Sequence, residues 1–148
     1  MMSIFNFFKK SKSSSELGLD VDIALRTGNF SKALKICSEG IELYPNEVNF
    51  YLKRAQASFL GESLTFGVVD KEKGLLRLKD YDKAIKLMES DSYPIQYFKS
   101  VLAKAYFDRA CQKNLLGDND GAKNDGLKSQ ELGHPQKEFS KLPIDLTK

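Results

Sequence analysis

Asp118, Asn119, Asp120 and Gly121 fall in consecutive positions in the stretch LLGDNDGAKNDGLKSQELGHP (115–135). Carboxylate and amide oxygens followed by a glycine are the materials of a calcium loop, because a hard cation takes oxygen ligands. The helix–loop–helix calcium site needs oxygens at its first, third and fifth places, Gly at the sixth and Glu at the twelfth. Placing Gly121 sixth puts Leu116 first and Leu127 twelfth; starting at Asp118 puts Ala122 fifth and Lys123 sixth. Both registers fail. The same residue types end one helix and cap the next. The stretch therefore predicts a turn, with no metal ligands and no cofactor.

Other residues able to do chemistry are sparse. The chain has 2 cysteines, Cys37 and Cys111, and 1 histidine, His134. The cysteines lack paired-thiol metal spacing and sit in helical patterns, where a free thiol behaves as a small hydrophobe. They suit a reducing cytoplasm. His134 stands between Gly133 and Pro135, a turn setting rather than a site beside a nucleophile. Asp80 and Asp82 form an acid pair, in a stretch read as a turn where Asp is a cap. No Gly-rich phosphate loop, HExxH or CxxC motif is present. The sequence predicts no enzyme.

The elements that must position any site are helical. The 148 residues are 41% hydrophobic and 29% charged, the composition of one folded domain with a modest core. Net charge is +3, and Lys9, Lys10 and Lys12, ahead of the first acid Glu16, carry that excess. The body is balanced, so a nucleic-acid partner is not expected. Ahead of it, Ile4, Phe5, Phe7, Phe8, Lys9 and Lys10 form an apolar and basic arm, followed by a serine-rich linker. Its order of apolar and basic residues is the reverse of a signal peptide, and it is too short to span a bilayer. Such an arm folds back on the domain, is disordered, or makes peripheral contact with an anionic membrane surface.

Apolar residues in the body recur at three and four rather than alternating. Phe30, Ala33, Leu34, Cys37 and Ile41 lie ahead of Pro45; Val48, Tyr51, Leu52, Ala55 and Phe59 form the next stripe. Tyr81, Ala84, Ile85 and Met88 follow, then Tyr97, Phe98, Val101, Leu102, Ala105, Tyr106 and Ala110. Gly28-Asn29 and Gly117-Asp118-Asn119 are breaks short enough to force antiparallel neighbours.

Three segments share one pattern: GNFSKALKICSEGIELYP (28–45), KDYDKAIKLMESDSYP (79–94) and GDNDGAKNDGLKSQELGHP (117–135). Each has a small turn, then Ala33, Ala84 or Ala122 where a second helix crosses its partner closely, then Pro45, Pro94 or Pro135. In TGNFSKALKICSEGIELYPNE, LKDYDKAIKL and KAYFDRACQKNLLGDNDGAKNDGLKSQELGHP the chain resembles the tetratricopeptide repeat family. The resemblance implies an all-α fold: a right-handed stack of three helical hairpins at about 16–46, 47–93 and 94–135, between an arm (1–15) and a tail (136–148). Ala33 and Ala84 stand 51 positions apart, and Ala84 and Ala122 38 apart. Against a family period of ~34, the middle repeat carries a long insertion, 61–78, either a loop on one face or an extension of the two helices that it joins. Asn119 and Gly126 depart from the bulk found at the matching places, which predicts a loosely packed or capping last helix.

The resemblance also implies function. Such proteins bind a peptide or protein along a concave face lined by first helices. In the subgroup that clamps a terminal carboxylate, the contact places fall here on Gly18, Asp22, Lys53, Lys104 and Asp108; only Lys104 has the required type, and the two aspartates would repel a carboxylate. The expected site is instead a mixed groove of Asp22, Arg26, Lys53, Gln56, Lys104, Phe107 and Asp108, with Phe66, Val68 and Val69 of the insertion as a second contact. The expected role is an adaptor for a protein or peptide partner in the cytoplasm. Two alternatives stand beside it: a membrane-apposed accessory factor docking through residues 1–12, and a neutraliser of a toxin or effector.

Overall fold

Helices form here on buried stripes, and four of them open on a side-chain cap. The computed structural model describes residues 11–63, 70–135 and 137. Among them lie α1 (Ser14–Arg26), α2 (Phe30–Leu43), α3 (Val48–Ser63), α4 (Lys71–Met88), α5 (Ile95–Leu115) and α6 (Asn119–Glu131), and no strand. The fold is all-helical. Ser13 opens α1 with a reciprocal cap: Glu16 N–H donates to its Oγ at 3.3 Å, and its own N–H donates to Glu16 Oε2 at 2.7 Å. Asn29, Asp70 and Asp118 cap α2, α4 and α6 by accepting from Lys32, Lys73 and Gly121 N–H at 3.1, 3.1 and 2.9 Å. Gly28 and Gly117, at φ +70° and +86°, turn the chain at the ends of α1 and α5, where a side chain would be strained. The GDNDG acids are thus a capped turn.

Each helix packs on the next in the chain, and α1 also reaches α3. Leu17 and Val21 of α1, Cys37 of α2 and Phe50 of α3 form one core cluster. Val48 and Tyr51 of α3, Ala84, Ile85 and Met88 of α4, and Leu102, Ala105 and Tyr106 of α5 form another. Burying a side chain as large as Phe50 contributes about 1.5–3 kcal/mol. Ala33, Ala84 and Ala122 are all fully buried, and Ala33 meets Ala24 and Ala57 where three helices cross. Their small size is what lets the backbones approach.

Three expectations are corrected. Residues 79–82 are not a turn: α4 starts at Lys71 under the Asp70 cap, so Asp80 and Asp82 lie mid-helix. Asp80 takes two hydrogen bonds from Arg54 (2.9 and 2.6 Å), and Asp82 takes one from Arg109 (2.8 Å). These acids are ion-pair partners across helices, not caps. Second, of the two readings of 61–78, the loop does not hold for much of the stretch and the helix extension does. Residues 61–63 end α3 and 71–78 are the first two turns of α4. Phe66, Val68 and Val69 fall outside the described residues, as do Ile4, Phe5, Phe7, Phe8, Lys9 and Lys10.

Third, the last helix is not loosely packed. α6 lays Ala122, Gly126 and Ser129, one stripe of small buried residues, against α5. The contact is close enough for Ser129 Oγ to donate to the Ala103 carbonyl at 2.6 Å. The missing bulk is compensated by proximity. Arg109 seals the edge with two 2.7 Å bonds to the buried Asp125, which also pairs with Lys113 at 2.9 Å. Among the described residues no helix is long and apolar enough to cross a membrane.

Candidate binding groove

Two helices, α3 and α5, turn matched stripes toward one another. On α3 the stripe is Asn49, Leu52, Lys53, Gln56, Phe59 and Leu60; on α5 it is Val101, Lys104, Ala105 and Asp108. Both follow the three- and four-residue spacing that keeps side chains on one helix face. Between them, with Tyr81 of α4 completing the lining, is a cavity of about 420 Å³. Tyr81 is itself buried, and that burial raises its pKa above the ordinary phenol range, so the hydroxyl stays neutral at physiological pH.

Phe59 defines the character of the cavity. The side chain is 44% exposed although its ring lines a concavity. Around it the charged groups are already matched. Lys53 Nζ meets Asp22 Oδ1 at 2.7 Å, and Lys104 Nζ meets the two Asp108 oxygens at 2.9 and 2.7 Å. The second pair is one turn apart on an exposed helix surface, an arrangement that contributes only about 0.3–0.5 kcal/mol. A neutral ligand acceptor such as an amide oxygen can therefore share the Lys104 ammonium at small cost. A second hollow of about 340 Å³ lies between α1 and α3, lined in part by Gly18, Leu19 and Asp22. Asn49 and Lys53 line both hollows, so the Lys53–Asp22 pair stands at their junction.

Of the sequence-expected groove residues, Lys53, Gln56, Lys104 and Asp108 come together in the larger cavity, and Asp22 joins through its ion pair. Two do not. Phe107 stacks on His134, with ring centroids 4.5 Å apart and planes 25° apart. On a helix one residue is a 100° turn, so the neighbour of Asp108 points off the groove face. Arg26 is exposed in the last turn of α1 and lines neither hollow. It shares its side of α1 with Leu19, two turns earlier.

Sequence periodicity puts Leu52, Phe59, Tyr81 and Val101 on apolar stripes but does not separate groove lining from core. The available signal is that α3 is apolar on more than one face, with Phe50 and Ala57 buried besides Tyr51 and Ala55. A helix with more apolar faces than neighbours has one left over. Cys37 takes no part. It is buried, and loss of solvation pushes its thiol up to about 12. Among the described residues no group of three or more His, Cys, Asp or Glu is placed to hold a metal ion. No protein-family model and no curated protein matches this chain.

Proposed function

We propose that this protein is a non-catalytic interaction module of tetratricopeptide-like architecture, its three helical hairpins stacked in a right-handed sense, and that it binds a segment of a partner protein in the trough between α3 and α5. The observation that carries this reading is Phe59, an exposed aromatic ring in a cavity whose charged groups are already paired. An apolar anchor from a partner would gain the burial that Phe59 lacks, while Gln56 and Asn49 offer amides to its backbone. Because Lys53 and Lys104 each carry an aspartate, the groove holds no large net charge, so binding here is weakly salt-dependent.

Affinity capture from the native host with paired baits tests the reading. Phe59→Asp and Val101→Asp place carboxylates in the trough, whereas Leu127→Asp changes an exposed residue on α6. Partners retained by wild type and Leu127→Asp but lost by both groove variants support the proposal. Partners held equally by all four baits overturn it.

A further inference from the structure

The outer face of α1 is apolar, uncovered by the described residues and self-complementary. Leu17, Val21 and Ala24 turn inward and are buried. On the opposite side, Leu19 is 56% exposed and Ile23 48% exposed, one turn apart, with Glu16 and Arg26 exposed at either end of the same face. In the helical projection these four side chains fall within a sector of about 80°. Isolated exposed leucines are ordinary on a protein surface. A pair at i and i+4, centred between an acid in the first turn and a base in the last, is a pattern with a dyad in it.

We propose that this face is the interface of a symmetric homodimer in which α1 packs antiparallel against α1 of a second copy. A two-fold interface brings the same patch together with itself, so residue i meets j and j meets i. With the axis passing beside Val21, Leu19 faces the partner's Ile23, and Glu16 faces the partner's Arg26, each contact occurring twice. No other antiparallel register satisfies both pairings. The remaining acids at the margins do not oppose it: Asp20 is held by Lys12, and Asp22 by Lys53. Glu16 spends one carboxylate oxygen, Oε2, on Ser13. Its other oxygen is open to a guanidinium.

The interface is small. Thirteen residues make a helix of about 20 Å, so the buried area falls short of the roughly 1,200 Å² at which stable complexes begin, and the dimer is a dissociable one. This surface is distinct from the trough, and the proposal does not depend on the groove reading.

Sedimentation of the full chain across a wide concentration range tests it. The weight-average mass should climb from 16.7 kDa toward twice that value. Leu19→Asp, at an exposed position, should hold the chain at the monomer mass. Arg26→Glu and Glu16→Lys should each do the same, because each homodimer then sets two like charges face to face. An equimolar mixture of those two variants should associate again, since both contacts across the mixed pair are then acid to base. Circular dichroism should show each variant as helical as wild type; Arg26→Glu and Leu19→Asp leave the Ser13 cap intact should Glu16→Lys weaken it. A wild type that stays at the monomer mass throughout overturns the proposal. So does a dimer indifferent to Leu19→Asp, or a mixture that remains monomeric.

Discussion

Arg77 of α4 donates through Nε to Gln112 Oε1 of α5 at 2.7 Å, and both side chains are buried. The same guanidinium reaches back to α3, donating to Ser58 Oγ at 3.1 Å and pairing with Glu62 Oε2 at 2.5 Å. One side chain thus ties three successive helices. It also fixes the Gln112 amide: with Oε1 turned to Arg77, Nε2 points away and is buried without a partner among the described residues. Replacing Arg77 by Ala takes the cation away from the Glu62 carboxylate, which keeps the Asp70 N–H, and removes the donor to the Gln112 amide oxygen. Breaking a buried ion pair from one side costs about 3–5 kcal/mol. Urea unfolding of Arg77→Ala should show a loss of that order, with the slope unchanged. A loss under about 1 kcal/mol, the value of a surface pair, would mean that the network contributes little.

Two glycines inside helices should respond oppositely to the same change. Gly18 sits mid-α1, and a methyl group there meets nothing within 4 Å. Gly18→Ala should stabilise by about 0.5–1 kcal/mol, the helix-propensity gain. Gly40 sits in α2 against the buried Phe50 ring, and an added Cβ would lie 2.7 Å from Cδ1 and Cε1. The ring is held by Leu17, Val21 and Cys37 and has no free end to swing away. Overpacking of that kind costs about 1–3 kcal/mol and outweighs the propensity gain. Thermal unfolding of the two variants should shift in opposite directions; a stabilised Gly40→Ala would show that the ring relaxes.

Helix positions and close crossings are legible in this sequence because they rest on local signals. Periodicity places α2, α3, α5 and the second half of α4, the repeat pattern places α6, and the buried Ala33, Ala84 and Ala122 follow from the turn-then-Ala spacing. The start of α4 is not legible. Asp80 and Asp82 carry cap chemistry, yet the cap in use is Asp70, and only the cross-helix partners Arg54 and Arg109 reveal what the other two do. Ion pairs between elements leave no periodic trace. The groove is half legible for the same reason. Lys53, Gln56, Lys104 and Asp108 are found by register, but register alone cannot tell that Phe59 lines a cavity while Tyr51 lines the core.

Stability should fall in alkali through Cys37. Burial raises the folded thiol to about 12 from an ordinary value of 9.0. A raised folded pKa means that the unfolded chain releases this proton first. The contribution is whole below about pH 9 and is lost as pH climbs toward the folded value, at up to about 1.4 kcal/mol per pH unit. Burial raises the Tyr81 and Tyr106 hydroxyls as well, so tyrosine ionisation adds to the fall. Urea midpoints measured upward from pH 8 should decline, and Cys37→Ala should lessen the decline above pH 9. In a Cys111→Ala background, the folded chain at pH 8 should resist alkylation, since only on the order of one thiol in ten thousand is ionised at a pKa near 12. Alkylation as rapid as in the unfolded chain would show that Cys37 is open to solvent.

Asp125 concentrates charge at the α5–α6 contact, where it is buried beneath Arg109 and Lys113. Burial works against the Arg109 charge, but the hydrogen bonds and field of Asp125, aided by Asp82, outweigh it and hold the guanidinium firmly protonated. Removing the acid alone, as Asp125→Leu, leaves Arg109 with the exposed Asp82 as its acid among the described residues, besides the Tyr106 ring beneath it, and should cost about 3 kcal/mol. Removing both partners is different in kind. Arg109→Met with Asp125→Leu deletes the charge along with its need for a counterion, and hydrophobic replacement of a buried pair is often neutral or better. The double variant should therefore be less destabilised than the sum of the two single changes by at least about 1 kcal/mol, a coupling readable from a double-mutant cycle in urea. Additive losses would show that Arg109 and Asp125 each stabilise α6 independently, and that the small-residue stripe of Ala122, Gly126 and Ser129 holds the last helix without them.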